Sequence, residues 1–325
     1  MQKVLIFSID ELVPGDHPYR QFVRLIDFAE LVKPLNDLEN SDVGRHGYGI
    51  LFGFKALLLQ FMEDLSDRQL ERYLDENLAA KWFCGLNLGD QTPDFSYFSK
   101  LRKRIGTNRL YQVFNRVQSS LKSQGLIQEI FTFVDASQLI SKLSIWEDRD
   151  KAIKQGLKTL NNQTVKKVSA DSQARFGCKG NKKYWYGYKR HVSVDMQSYL
   201  INKVAITSAE VHDGDGLKHV CPSQGAVFGD KAYCVAAAQK AIHHHRCHDA
   251  TMKMNHMKIK NKEKDRWLCK CRAPYESVFS KVNKKARYHG VAKNQFLGIM
   301  QSLCYNLKRL TKLDVNKIHL VPLTG

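Results

Sequence analysis

In VFGDKAY, Val227–Tyr233, a single acidic residue ends a short apolar run that follows Gly225. A carboxylate desolvated by itself is costly and needs a partner or a counter-ion. Asp230 is therefore either a turn residue capping a helix that begins near Ala232, or one member of an acidic group. FTFVD (131–135) has the same form: aromatic and β-branched residues, then Asp135. Both stretches read as strands inside a sheet, with Asp135 ending the first and Asp230 the fourth. Ligand sites of open sheets lie at such strand ends.

GYKRHVSVD (187–195) and YLINKVAIT (199–207) supply the strands between them, separated by Met196, Gln197 and Ser198 at hairpin spacing. AYCVAAAQKAI (232–242) and RAPYESVFSKVNKKA (272–286) read as helices. The order strand, hairpin, short helix, strand, helix, late helix specifies an α/β domain with a mixed sheet flanked by helices over 126–310.

Residues 1–125 form a helical N-terminal domain on this reading, with helical patterning from about residue 18, and 311–325 is a C-terminal tail. Leu51, Phe54, Leu58, Phe61 and Leu65 make a helical stripe. Ser66 with Gln69 spells a capping box for a helix bearing Leu70, Tyr73, Leu74 and Leu78. TPDFSYFSKLRKRIG (92–106) opens at Pro93 and Asp94, closes at Gly106, and carries Lys100, Arg102, Lys103 and Arg104. Short helices joined by tight turns, the last one basic, fit a helix-turn-helix-like DNA reader.

Lys and Arg total 51 against 32 Asp and Glu, a net charge of +19. Such a surplus concerns partners rather than fold, and nucleic acid is the usual polyanion. It is concentrated: Met252 to Lys293 holds 13 basic residues against Glu263, Asp265 and Glu276. Eight scattered Cys, no secretory leader in MQKVLIF and no run of membrane-spanning length predict a cytosolic protein with reduced thiols.

Two carboxylates placed together repel unless a cation neutralises them. Oxygen donors without a nearby His or thiolate favour Mg²⁺ or Mn²⁺ over Zn²⁺. Glu276, early in a helix whose apolar face is Val278, Phe279 and Val282, is the best third ligand. Asp195 is its rival. HHHRCH (243–248) reads as a helix end, HDGDG (212–216) as a helix-entry turn and WEDRD (146–150) as solvated surface. CKC (269–271) lacks the spacing of a Cys/His zinc finger. Trp185, between Tyr184 and Tyr186 and beside Lys182 and Lys183, is read as a packed aromatic cluster ahead of a base-stacking platform.

Taken in order, these segments resemble a DDE transposase of bacterial insertion sequences, group five, with kinship to group four. VPGDHPYRQF, EDLSDRQLERYLDENLAAKWFCGL and TPDFSYFSKLRKRIG resemble the helical N-terminal domain. FVDAS, YGYKRHVSVD, ITSAEVHDGD, FGDKAY and RAPYESVFSKVNKKARYHGVAKNQF resemble the catalytic domain. The resemblance implies a ribonuclease-H-like fold whose catalytic and metal-binding triad is Asp135, Asp230 and Glu276. It also implies two Mg²⁺ ions, cleavage at element ends and strand transfer. Asp230 and Glu276 are 46 positions apart, too few for the β insertion of group four. In the Tyr, Arg, Glu, Lys signature, Arg272 fits as a phosphate holder; Cys269 and Asn283 stand at the Tyr and Lys positions. Pro274 is read as an N1 residue with Arg272 just outside the helix. Lys231, Lys281, Lys284, Lys285, Arg287 and Lys293 are expected on the DNA backbone. Double-stranded DNA is the expected partner and a homodimer the active form, in the bacterial cytoplasm beside the nucleoid. The competing reading is a non-catalytic DNA-binding regulator descended from such an enzyme; a generic ribonuclease-H-like nuclease is a third.

Overall fold

The computed structural model describes residues 8–39, 47–141, 154–156, 161–179, 183–254, 256–257, 261–280, 283–313 and 317–320. WEDRD, Lys182 and Lys281 lie outside these. The chain folds as two units, Met1–Gly125 with Leu303–Gly325, and Leu126–Ser302.

The first unit contains α1 (Pro18–Leu25), α2 (Ile50–Met62), α3 (Asp67–Glu76), α4 (Leu78–Cys84) and α5 (Phe95–Ser123). α2 is buried at 11 of its 13 residues, so it is the unit's central helix rather than a one-faced surface helix. Gly53 lets α5 approach it, because a Cβ there would stand 2.5 Å from Leu101 Cδ2. Ser66 and Gln69 form the expected capping box. Gly106 does not close α5. It kinks it at φ 65°, which glycine adopts without strain, and the apolar spacing resumes through Leu110, Val113, Val117 and Leu121.

The C-terminal boundary also differs from the sequence reading. A last helix runs Val291–Leu310, and from Leu303 onward it belongs to the helical unit. There Leu303, Leu307 and Leu310 face Ile26, Leu31, Phe54 and Leu58 across one apolar crevice. Ile318 adds a parallel bridge to Ile26.

Among the described residues the second unit is built on six strands: β1 (Phe131–Ile140), β2 (Arg175–Lys179), β3 (Lys183–Asp195), β4 (Ile201–Ser208), β5 (Ala226–Gly229) and β6 (His248–Thr251). β1, β3 and β4 are antiparallel neighbours, and β5 and β6 extend the sheet parallel to β1. This is the ribonuclease-H-like arrangement. β2 pairs with the first half of β3. Its longer described helices are α6 (Ala236–His244), α7 (Lys262–Arg272), α8 (Glu276–Ser280) and the start of α9 (Val291–Leu310). Alternation along β1 separates its two faces. Val134 joins Val227, Tyr233, Ala238 and Ile242 in the core under α6. Phe133 instead meets Tyr275 at 5.6 Å between ring centroids, ahead of α8. Among the described residues no helix is long and apolar enough to cross a membrane.

Candidate active site

Asp135 does not end its strand. β1 continues to Ile140 because the longer β3 goes on pairing with it, Asp135 opposite Val192. What stops is the parallel neighbour: the last β1–β5 pair is Phe133 with Phe228. Two residues further along each chain lie Asp135 and Asp230, brought level by that register. Asp135 Oδ1 accepts from the Ala136 amide at 2.8 Å. Asp230 Oδ1 accepts from the Ala232 amide at 2.9 Å and caps the turn Lys231–Tyr233. The two roles weighed for Asp230, cap and acidic-group member, thus fall on one side chain.

Burial, and then the adjacent Asp230 charge, pushes the Asp135 carboxyl up to about 7, against the pull of Arg272. Arg272 Nη1 lies 3.9 Å from Asp230 Oδ2, and Nη2 bonds Glu276 Oε1 at 2.9 Å. Arg272 ends α7 and stands outside the helix of Glu276, as expected. Pro274 is absorbed by a 3₁₀ turn, Ala273–Tyr275, which leads directly into Glu276. Tyr275 anchors this junction, stacking on Tyr199 at 4.7 Å and donating to the Met196 carbonyl.

The expected convergence of three carboxylates is therefore replaced by a pair and a latch. Among the described residues no three acidic, His or Cys side chains are grouped to hold a metal. Asp135 and Asp230 stand together, and Glu276, 59 % exposed, is tied to Arg272. The donor set nonetheless suits a hard divalent cation: two oxygen ligands side by side, one of them desolvated, repel until a cation joins them.

Asp195 is structural. It is buried, and its carboxylate accepts from the Gln197 and Ser198 amides, the Ser198 hydroxyl and the Gln128 and Glu129 amides. His243 and His244 end α6, and HDGDG forms a helix-entry turn. Trp185 and Tyr186 are packed, while Tyr184 is exposed.

The basic residues divide. Lys231 follows Asp230 directly, Lys284 and Lys285 are exposed after α8, Arg287 is half-buried beyond them, and Lys293 is exposed on α9. In the helical unit Lys100 and Lys103 are exposed. Arg102 bonds Asp67 at 2.6 Å and Gln60 at 2.9 Å, and Arg104 donates to the Leu38 carbonyl. Arg102, largely buried, holds the unit together, whereas Arg104 stays exposed.

Residues 7–104 match the family model described as "Transposase domain (DUF772)", and residues 157–307 match "Transposase DDE domain". Between them the two models match most of the chain. The chain belongs to the DDE transposase family. Asp230 and Glu276 of this transposase lie within the second match, whereas Asp135 precedes it, so its place in the site comes from its register beside Asp230. A cryo-EM structure of a piggyBac transposase synaptic complex with hairpin DNA aligns with 93% of the chain and 77% of its own length, at 10% identity and TM-score 0.39.

Sequence reasoning missed one acid beside this site. Asp213 contributes to the upward push on Asp135 and pairs with Lys189 Nζ at 2.7 Å. Its local signal was HDGDG itself, which the sequence offers only as a helix-entry turn.

Proposed function

We propose that this transposase cuts DNA at the ends of an insertion sequence of group five and joins those ends to target DNA. The observation that carries the reading is Asp135 set level with Asp230 on parallel strands. Mg²⁺, or Mn²⁺ in its place, is the cofactor, held by Asp135 and Asp230, with Glu276 completing the set when Arg272 lets go. When bound, the ions supply charge neutralisation and an activated nucleophile for in-line attack on a phosphodiester.

The chain's own part is positioning. Backbone amides fix one oxygen of each aspartate, so both donors are oriented in advance and little reorganisation is left for the reaction. Arg272, released from Glu276, offers its two-pronged guanidinium to a phosphate. Lys231, Lys281, Lys284, Lys285, Arg287 and Lys293 bind the backbone near the site, and Lys100 and Lys103 bind it from the helical unit. Arg104, exposed beside them, joins that surface, and Arg102 supports it from within. Joining two ends calls for a homodimer.

Mg²⁺-dependent nicking and strand transfer on a duplex carrying the element's terminal repeat tests the assignment. Asp230→Asn is expected to lose at least about a hundredfold in rate with DNA binding in EDTA retained. Equal activity in both proteins would falsify the site.

A further inference from the structure

Asp213 opens the turn Asp213–Gly216 between β4 and β5, capped by His212. Its glycines permit an approach that no side chain would. A Cβ on Gly214 would stand 3.0 Å from the Ala232 carbonyl and 2.3 Å from Val235, just past Asp230. One on Gly216 would stand 2.2 Å from the ring of His191, which pairs with Ala136. The turn is thus wedged between the residues after Asp230 and the strand beside Asp135.

Lys189, buried, fixes the acid. Its Nζ donates to the Val211 carbonyl at 2.8 Å and reaches Asp213 Oδ1 at 2.7 Å, off the line of a hydrogen bond. Asp213 Oδ1 is therefore charge-paired yet still open to a donor. Next to Ala232, on which the turn packs, is Tyr233, 1 % exposed, with its ring against Gly229 and its hydroxyl without a hydrogen-bond partner. Burial first, then the charges of Asp135, Asp213 and Asp230, raise that hydroxyl well above the usual tyrosine range and keep it a donor. A buried donor left unpaired costs about 1–3 kcal/mol.

We propose that Asp213 and Tyr233 are positioning residues of the cation site: neither is a ligand, and both act from behind the Asp135–Asp230 pair, Asp213 by the charge that Lys189 fixes and Tyr233 by a buried hydroxyl open to a hydrogen bond. The inference rests on the metal reading above. Outer partners of this kind govern metal affinity by about 10–100-fold without touching the ion.

The test is Mn²⁺ titration of the full chain without DNA, followed by electron paramagnetic resonance, with thermal melting in EDTA alongside. Wild type, Asp230→Asn, Asp213→Asn and Tyr233→Phe are compared. Asp213→Asn is expected to weaken Mn²⁺ binding about tenfold and Tyr233→Phe at least about threefold. Tyr233→Phe should melt no lower than wild type, since it removes only an unpaired hydroxyl. Either variant binding Mn²⁺ within twofold of wild type, while Asp230→Asn binds poorly, overturns this inference and leaves the metal reading intact. Wild type and Asp230→Asn binding alike overturns both. If Asp213→Asn does not fold, Tyr233→Phe decides.

Discussion

Asp135 and Asp195 sit on paired strands and look alike in sequence, yet their physics is opposite. Asp195 has five protein donors, whereas Asp135 has one and a like charge beside it. Asp195→Ala should therefore cost about 3 kcal/mol or more in chemical denaturation, while Asp230→Ala costs under about 1 kcal/mol. Asp135 also has a distinctive pH signature. Its folded value of about 7 lies above the ordinary carboxylate range, so the unfolded chain loses this proton first. Its contribution to stability is complete below about pH 4 and drains away as pH rises towards 7. In EDTA, Asp135→Asn should be more stable than wild type by ~1–3 kcal/mol at pH 8, with no gain at pH 4. Parallel stability–pH curves for the two proteins would sink this account. Asp135 and Asp230 were legible in the sequence because each terminates a local apolar pattern. Asp213 was not, because its relevance arises from the turn's packing against β3 and the residues after Asp230.

At the scale of elements, the hairpin of β3 and β4 was legible from period and spacing, and so were β1 and β5. β2, RFGCK, and β6, HDAT, were not: each is short, and β6 has almost no apolar alternation. α7 was hidden by its polarity, since only Leu268 of its 11 residues is buried. The α7–α8 junction matters most for the site. Tyr275, held between Phe133 and Tyr199, sets where Glu276 stands. Tyr275→Ala removes that anchor and leaves a cavity worth roughly 3 kcal/mol. It should lower cleavage by at least about tenfold at a temperature where the protein stays folded, with DNA affinity in EDTA within twofold. Cleavage at the wild-type rate would show that the junction does not set the position of Glu276.

For the molecule as a whole, the helical unit is discontinuous. Residues 303–318 supply Leu303, Leu307, Leu310 and Ile318, all buried, to a core begun by residues before 125. Exposing several large aliphatic side chains at about 1.5–3 kcal/mol each exceeds the margin of a domain this size. A fragment ending at 125 should lack a cooperative thermal transition by circular dichroism. Co-expression with a peptide covering 291–320 should restore one. The net charge of +19 makes the complete chain's DNA affinity fall steeply with salt, and exchanging Lys284 and Lys285 for Ala should shallow the slope of log K against log salt by about 2.

That discontinuity sets an order of events during synthesis. The helices before residue 125 are made ahead of the sheet, but the core they begin stays open until the chain has been made through residue 318, after every described strand of the sheet. A product terminated between residues 276 and 303 carries Asp135, Asp230 and Glu276 but an unfinished helical unit. The unit begun first is thus completed last, and no partial chain holds both units folded.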